Sequence, residues 1–155
     1  MLVHATSIII VVGVFGALSG VAQAGPTEAL LQAGSYEVEV RLVLPNAESS
    51  AADKTTTICV PNAQEASGAP LPVLSDNNPL AKCPVEDVQR NGATLSFDIV
   101  CDGRNAAKGR AVYTLMPRRF EGRIAMVMGG KNMTMTEVQA GRRVGSCAVA
   151  GAPQN

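Results

Sequence analysis

Along the middle of this chain, apolar and polar residues alternate with a period of two, the spacing of a strand that buries one face. Tyr36, Val38, Val40, Leu42 and Leu44 interleave with Ser35, Glu37, Glu39 and Arg41 before Pro45 and Asn46 end the run. Residues 54–60, rich in Thr and β-branched side chains, read as a return strand. Further on, Pro117-Arg118 turns a strand at 111–116 into one at 119–128. That turn sets Leu115 opposite Phe120 and Tyr113 opposite Gly122, where a large ring can cover bare backbone. Gly130-Lys131 then acts as a glycine-first hairpin turn that pairs Met128 with Met133 and Met126 with Met135. All four methionines fall on the face that carries Phe120 and Ile124.

The sharpest inference concerns the stretch between Cys83 and Cys101. Asn91-Gly92 marks a tight turn between strands at 85–90 and 94–100. A three-residue loop over 91–93 sets Arg90 opposite Thr94, Val85 opposite Ile99 and Cys83 opposite Cys101. Leu95, Phe97, Ile99 and Cys101 then share one face with Cys83 and Val85. A two-residue loop slips the register by one, sets Cys83 against Val100 and splits that face. A Cys83–Cys101 disulfide is therefore expected, which leaves Cys59 to pair with Cys147. Four cysteines allow three connectivities, and the sequence alone leaves the other two open. With three successive hairpins and no convincing long helix, the expected class is all-β. An antiparallel meander forming a curved sheet, a partial barrel or a small sandwich, stapled by disulfides, fits the pattern.

Ahead of the strands, residues 8–18 are almost all aliphatic or small, and Ala22-Gln23-Ala24 supplies the small residues of a cleavage site. The apolar run falls well short of the roughly 20 residues that span a bilayer, so a removable leader over 1–24 is expected, without stable membrane insertion. No Lys or Arg precedes that run. The remaining organisation reads as a flexible segment over 25–33, one β domain over 34–147 and a flexible tail over 148–155. Within the domain, the loop 61–82 holds Pro61, Pro70, Pro72 and Pro79. It reads either as a flap over one face of the sheet or as a plain surface loop with its ends held near disulfides; the second is favoured.

Charge and composition narrow the chemistry. Thirteen basic and thirteen acidic residues give a net charge of zero, which argues against general nucleic-acid binding. The balance is uneven, with an excess of acid over 25–100 and of base after it. Beyond the leader only Tyr36, Phe97, Tyr113 and Phe120 are aromatic, too few for a base-stacking platform. The one histidine, His4, lies in the leader, so the remainder lacks the commonest acid–base and zinc-binding side chain. Export places the four cysteines where thiols oxidise and persist, as staples rather than reactive groups.

Three candidate sites stand against plain structural readings. Met126, Met128, Met133 and Met135 offer soft thioethers of the kind that hold Cu(I), yet methionine also fills irregular apolar gaps, and core packing is the preferred reading. Arg110, Arg118, Arg119, Arg123, Arg142 and Arg143 form a basic set; Arg119 and Arg123 share the outward face of one strand, where a solvated, edge-protecting role outweighs anion binding. Asp98, Asp102, Glu86 and Asp87 lie on or beside the cysteine hairpin, but nothing gathers them in a cleft, and Asp98 points away from the Cys101 face. No catalytic residue, metal ligand or cofactor is assigned.

The run Cys83-Pro84-Val85-Glu86-Asp87-Val88, then Arg90 to Thr94, Phe97 and Cys101, resembles a family of small exported bacterial proteins known only as a domain of unknown function, DUF3617. The early Gly34-Ser35-Tyr36-Glu37-Val38 and the late Met133-Thr134-Met135 and Gly141 to Cys147 share the likeness, which spans residues 34–147. Gly145-Ser146-Cys147 departs from the family's usual Gly-Asp-Cys ending, with Ser146 in the acidic place. The resemblance implies a Gram-negative periplasmic location and four structural cysteines. It brings no activity or ligand.

The leading expectation is a non-enzymatic periplasmic binding or accessory protein. Its apolar sheet face, made of Tyr113, Leu115, Phe120, Ile124, Met126, Met128, Met133 and Met135, would meet a small apolar ligand or a periplasmic protein. A disulfide-stapled interaction module or inhibitor working through loop 61–82 is the alternative, followed by copper handling through the methionines.

Overall fold

A computed structural model of the chain describes residues 31–45, 52–61, 71–103, 106–130 and 133–147. Its strands are β1 (Gly34–Val43), β2 (Ala52–Val60), β3 (Val85–Asn91), β4 (Thr94–Val100), β5 (Lys108–Met116), β6 (Arg119–Met128) and β7 (Met133–Gly145). They form one antiparallel, open, curved sheet in the order β2-β1-β7-β6-β5-β4-β3. Burial alternates along the central strands as the sequence periodicity requires: Tyr36, Val38 and Val40 on β1, Leu95, Phe97 and Ile99 on β4, and Ala111, Tyr113 and Leu115 on β5 all face inward. The four aromatic rings join into one core chain. Phe97 stacks on Tyr113, Tyr113 meets Phe120 edge-on, and Phe120 contacts Tyr36, with centroids 5.8–6.0 Å apart.

Both expected disulfides are formed, Cys83–Cys101 and Cys59–Cys147. The hairpin register at the first of them is correct, but the turn is not. Asn91 pairs with Thr94 across a two-residue turn, Gly92-Ala93, with Gly92 at φ +56°. Left alone, that turn would set the cysteines one residue out of step. A β-bulge between Glu86 and Gln89, with Asp87 in the left-handed region at φ +49°, places two residues of β3 opposite the single Phe97 of β4. The slip is absorbed there, and Val85 meets Ile99 as expected. Val85 is nonetheless exposed, as is most of β3, an edge strand. The bulge also breaks the regular hydrogen-bonding edge that a second chain would need for pairing.

Tyr113 does cover Gly122, its register partner on β6, and Phe120 covers Gly141 on β7 in the same way. A methyl group added at Gly122 would overlap the Tyr113 ring. Gly122→Ala is therefore expected to destabilise the fold by about 1–3 kcal/mol in urea titration, the range for overpacked cores. Gly145→Ala, where an added methyl meets nothing, is expected to be neutral, and equal effects at the two sites would contradict the ring-over-glycine packing.

Because β1 pairs with β7, strands β2 and β3 lie at opposite edges of the sheet. The chain joining them must cross all seven strands, about 29 Å at about 4.8 Å per gap. Its described part, residues 71–84, lies over the inner face and runs from β7 past β6 and β5 to the end of β4, with one side chain reaching back to β2. Asp76 pairs with Lys54 of β2 at 2.5 Å, and Leu74 and Ser75 bond to Glu137 of β7. Asn78 reaches Met126 of β6, and Leu80 packs over Gly109 of β5. The strap ends in a short 3₁₀ turn (Pro79–Lys82), with Asn78 as its N-cap, and in Cys83, which is bonded to Cys101 just beyond β4. Leu71 and Leu80 are buried, and Val73 and Leu74 pack partly buried against the core. The favoured surface-loop reading thus fails for residues 71–82, which form the second layer of the core; residues 62–70 lie outside those described. Ahead of β1, Leu31 is buried and the Gln32 N–H donates to the Pro117 carbonyl, so residues 31–33 are docked against the β5–β6 turn; residues 25–30 of the expected flexible segment lie outside those described.

Candidate functional site

The inner face carries one feature that its apolar pattern hides. Glu137 and Gln139 on β7 point into the core with no exposed surface. They continue the inward row that begins at Met135, opposite Ile124 and Gly122 of β6. The Glu137 carboxylate accepts from the Leu74 N–H at 2.8 Å, the Ser75 N–H at 3.0 Å and the Ser75 hydroxyl at 2.5 Å. The Gln139 amide donates to the same carboxylate at 2.6 Å and to the Pro72 carbonyl at 2.8 Å. These bonds explain how a carboxyl group is retained in the core: its oxygens are saturated by donors from the strap and from Gln139. The pair latches the strap to the sheet.

Beside the latch, two polar atoms are buried and make no hydrogen bond with any described residue: the Tyr113 hydroxyl and the Gln139 carbonyl oxygen Oε1. Tyr113 crosses β6 over Gly122, whose register partner on β7 is Gln139. Burial, and to a smaller extent the Glu137 carboxylate, hold the Tyr113 hydroxyl far above the usual tyrosine range, so it stays protonated and able to donate. A buried polar atom without a partner costs about 1–3 kcal/mol, and proteins keep few of them.

The expected apolar strip divides in two. Tyr113, Leu115, Phe120, Ile124 and Met126 are fully buried beneath the strap or among core rings. Met128 and Met135 are half-buried, and Met133, at the β6–β7 hairpin, is 51% exposed. The methionine pairing is as expected, Met126 with Met135 and Met128 with Met133. Met126 Sδ lies 3.1 Å from the Asn78 side-chain amide. Sequence reasoning missed Glu137 and Gln139. The expected β6–β7 register, carried four residues past Met133, would have set a carboxylate on the core face and exposed the anomaly.

The outer face is of a different kind. Asp98 pairs with Arg110 at 2.8 Å, and Glu37 pairs with Arg142 at 2.5 Å, so acids from the first half of the chain meet bases from the second. Arg119 and Arg142 are register partners on the outer face, and Arg123 faces outward as expected. A groove of about 520 Å³ runs over Asp98, Arg110, Ala125, Val127 and Thr136, walled by Glu86 and Asp87. Asp98 and its acidic neighbours line a shared surface there, but Asp98 is committed to its arginine. Such partly exposed ion pairs contribute little, about 0–1 kcal/mol each.

Among the described residues no helix is long and apolar enough to cross a membrane. No curated protein and no solved structure matches the chain. A family model described as a protein of unknown function (DUF3617) matches residues 31–147, from the docked Leu31 to the last cysteine. The chain belongs to this uncharacterised DUF3617 family.

Proposed function

We propose that the protein is a non-catalytic periplasmic binding protein that takes an elongated apolar ligand between its sheet and its strap. The observation that carries this reading is the graded exposure of one continuous apolar row. It is sealed at Ile124 and Met126, half-open at Met128 and Met135, and open at Met133. The row thus reaches the surface in large apolar side chains without a polar break. Methionine, flexible and polarisable, suits a mouth that adapts to its guest. The strap supplies a movable roof, since its hydrogen bonds to the inner face rest mainly on Glu137 and Gln139. Two closed disulfides, with no free cysteine among the described residues, suit an oxidising compartment reached through removal of the leader 1–24.

Titration of the oxidised, leader-free protein with the uncharged fluorophore N-phenyl-naphthylamine tests the reading. Saturable one-to-one binding is expected, weakened several-fold by Met133→Lys at the mouth. Failure of the native protein to bind the fluorophore would remove the proposal.

A further inference from the structure

We infer that the Tyr113 hydroxyl and the Gln139 carbonyl oxygen form a polar-head receptor, and that the ligand is an uncharged single-chain amphiphile ending in a hydroxyl group. The inference rests on the proposed apolar binding and names what that binding selects. Both atoms are buried and unpartnered among the described residues, and they belong to the same cross-strand row through Gly122. One is a donor that remains protonated; the other is an acceptor only. A ligand hydroxyl has the one acceptor and the one donor that this pair calls for.

The surroundings exclude a charged head. Glu137 is one row away, and its electrostatic influence reaches the Tyr113 hydroxyl, so an anion would be repelled in a water-poor site. A cationic head would lose its hydration there and find no open hydrogen-bond acceptor on that carboxylate, whose oxygens Leu74, Ser75 and Gln139 already fill. From the receptor to the surface the row runs past Ile124, then Met126 with Met135, then Met128 with Met133. Gln139 lies six residues from Met133, a span of about 20 Å at about 3.4 Å per residue, which sets a long, unbranched tail. Val73 and Leu74 of the strap, half-buried against the core, are the side chains that move aside to admit it.

The test is displacement of N-phenyl-naphthylamine by dodecanol and by dodecyl methyl ether, which share a tail but differ in the ability to donate. The alcohol is expected to compete about 3- to 10-fold better than the ether, the worth of one hydrogen bond. Tyr113→Phe keeps the ring over Gly122 and is expected to lose about the same factor for the alcohol while retaining the wild-type circular dichroism. Equal competition by alcohol and ether, or an unaltered alcohol affinity in Tyr113→Phe, would overturn the head receptor and leave apolar binding standing. A fluorophore that never binds would remove both, and displacement by neither compound would overturn the receptor alone.

Discussion

Replacing Cys59 and Cys147 together by alanine is expected to lower the unfolding free energy by about 4–5 kcal/mol. The bond closes a chain separation of 88 residues, against 18 for Cys83–Cys101, for which the same loop-closure argument gives about 3 kcal/mol. The ordering matters more than either value. Cys59 is the penultimate residue of β2, Cys147 follows β7, and β1 lies between those strands, so this bond spans the β1–β7 seam. No local hairpin supports that seam: its register runs from Ser35 with Gly145 to Val43 with Thr136, across most of the domain. Without the bond, the slowest and most entropically costly pairing of the sheet must form unaided. Urea denaturation of the two double mutants measures both losses. A greater loss from the short bond would contradict the assignment of the seam as the limiting contact.

Glu137→Ala is expected to cost about 3–4 kcal/mol, through a different route. The change removes the acceptor for two strap amides, one hydroxyl and the Gln139 amide. Each orphaned donor carries a penalty of about 1–3 kcal/mol if it stays buried, and release of the strap into water relieves part of the sum. The loss should therefore appear as local opening before global unfolding. Hydrogen exchange at the Leu74 and Ser75 amides should rise strongly while the β4–β6 amides stay protected. Glu137→Gln, which keeps one acceptor oxygen but turns an NH₂ toward donors, should fall between the two. Unchanged protection at Leu74 and Ser75 in the alanine variant would show that the latch holds nothing.

Much of the architecture is legible in the chain because its hairpins are local. The Tyr113–Gly122, Leu115–Phe120 and Met126–Met135 pairs follow from turn position and the period of two, and the structure reproduces each of them. The Cys83–Cys101 hairpin shows the limit of that reasoning. The apolar face correctly demanded the cysteine register, but the loop length inferred from it was wrong, because a bulge at Asp87 supplied the missing residue. A bulge conserves the face while breaking the count, so no pattern of alternation reveals it. Glu137 and Gln139 lie on the core face by the same β6–β7 register, but the donors that make a buried carboxylate tolerable come from the strap, which no local pattern reveals.

The sequence by itself determined the all-β class, the register that brings Cys83 to Cys101, the three hairpins and the inward row from Tyr113 to the methionines. Short-range alternation and turn chemistry encode all of these within a few residues of each contact. Only the tertiary structure decided that β1 joins β7, which sends β2 and β3 to opposite edges. From that one pairing follow the crossing of residues 71–84, the burial of Leu71 and Leu80 and the latch at Glu137. The physical reason is that a pairing between distant strands is chosen by the area it buries and the donors it satisfies across the whole domain, and neither quantity exists until the sheet and its strap have met.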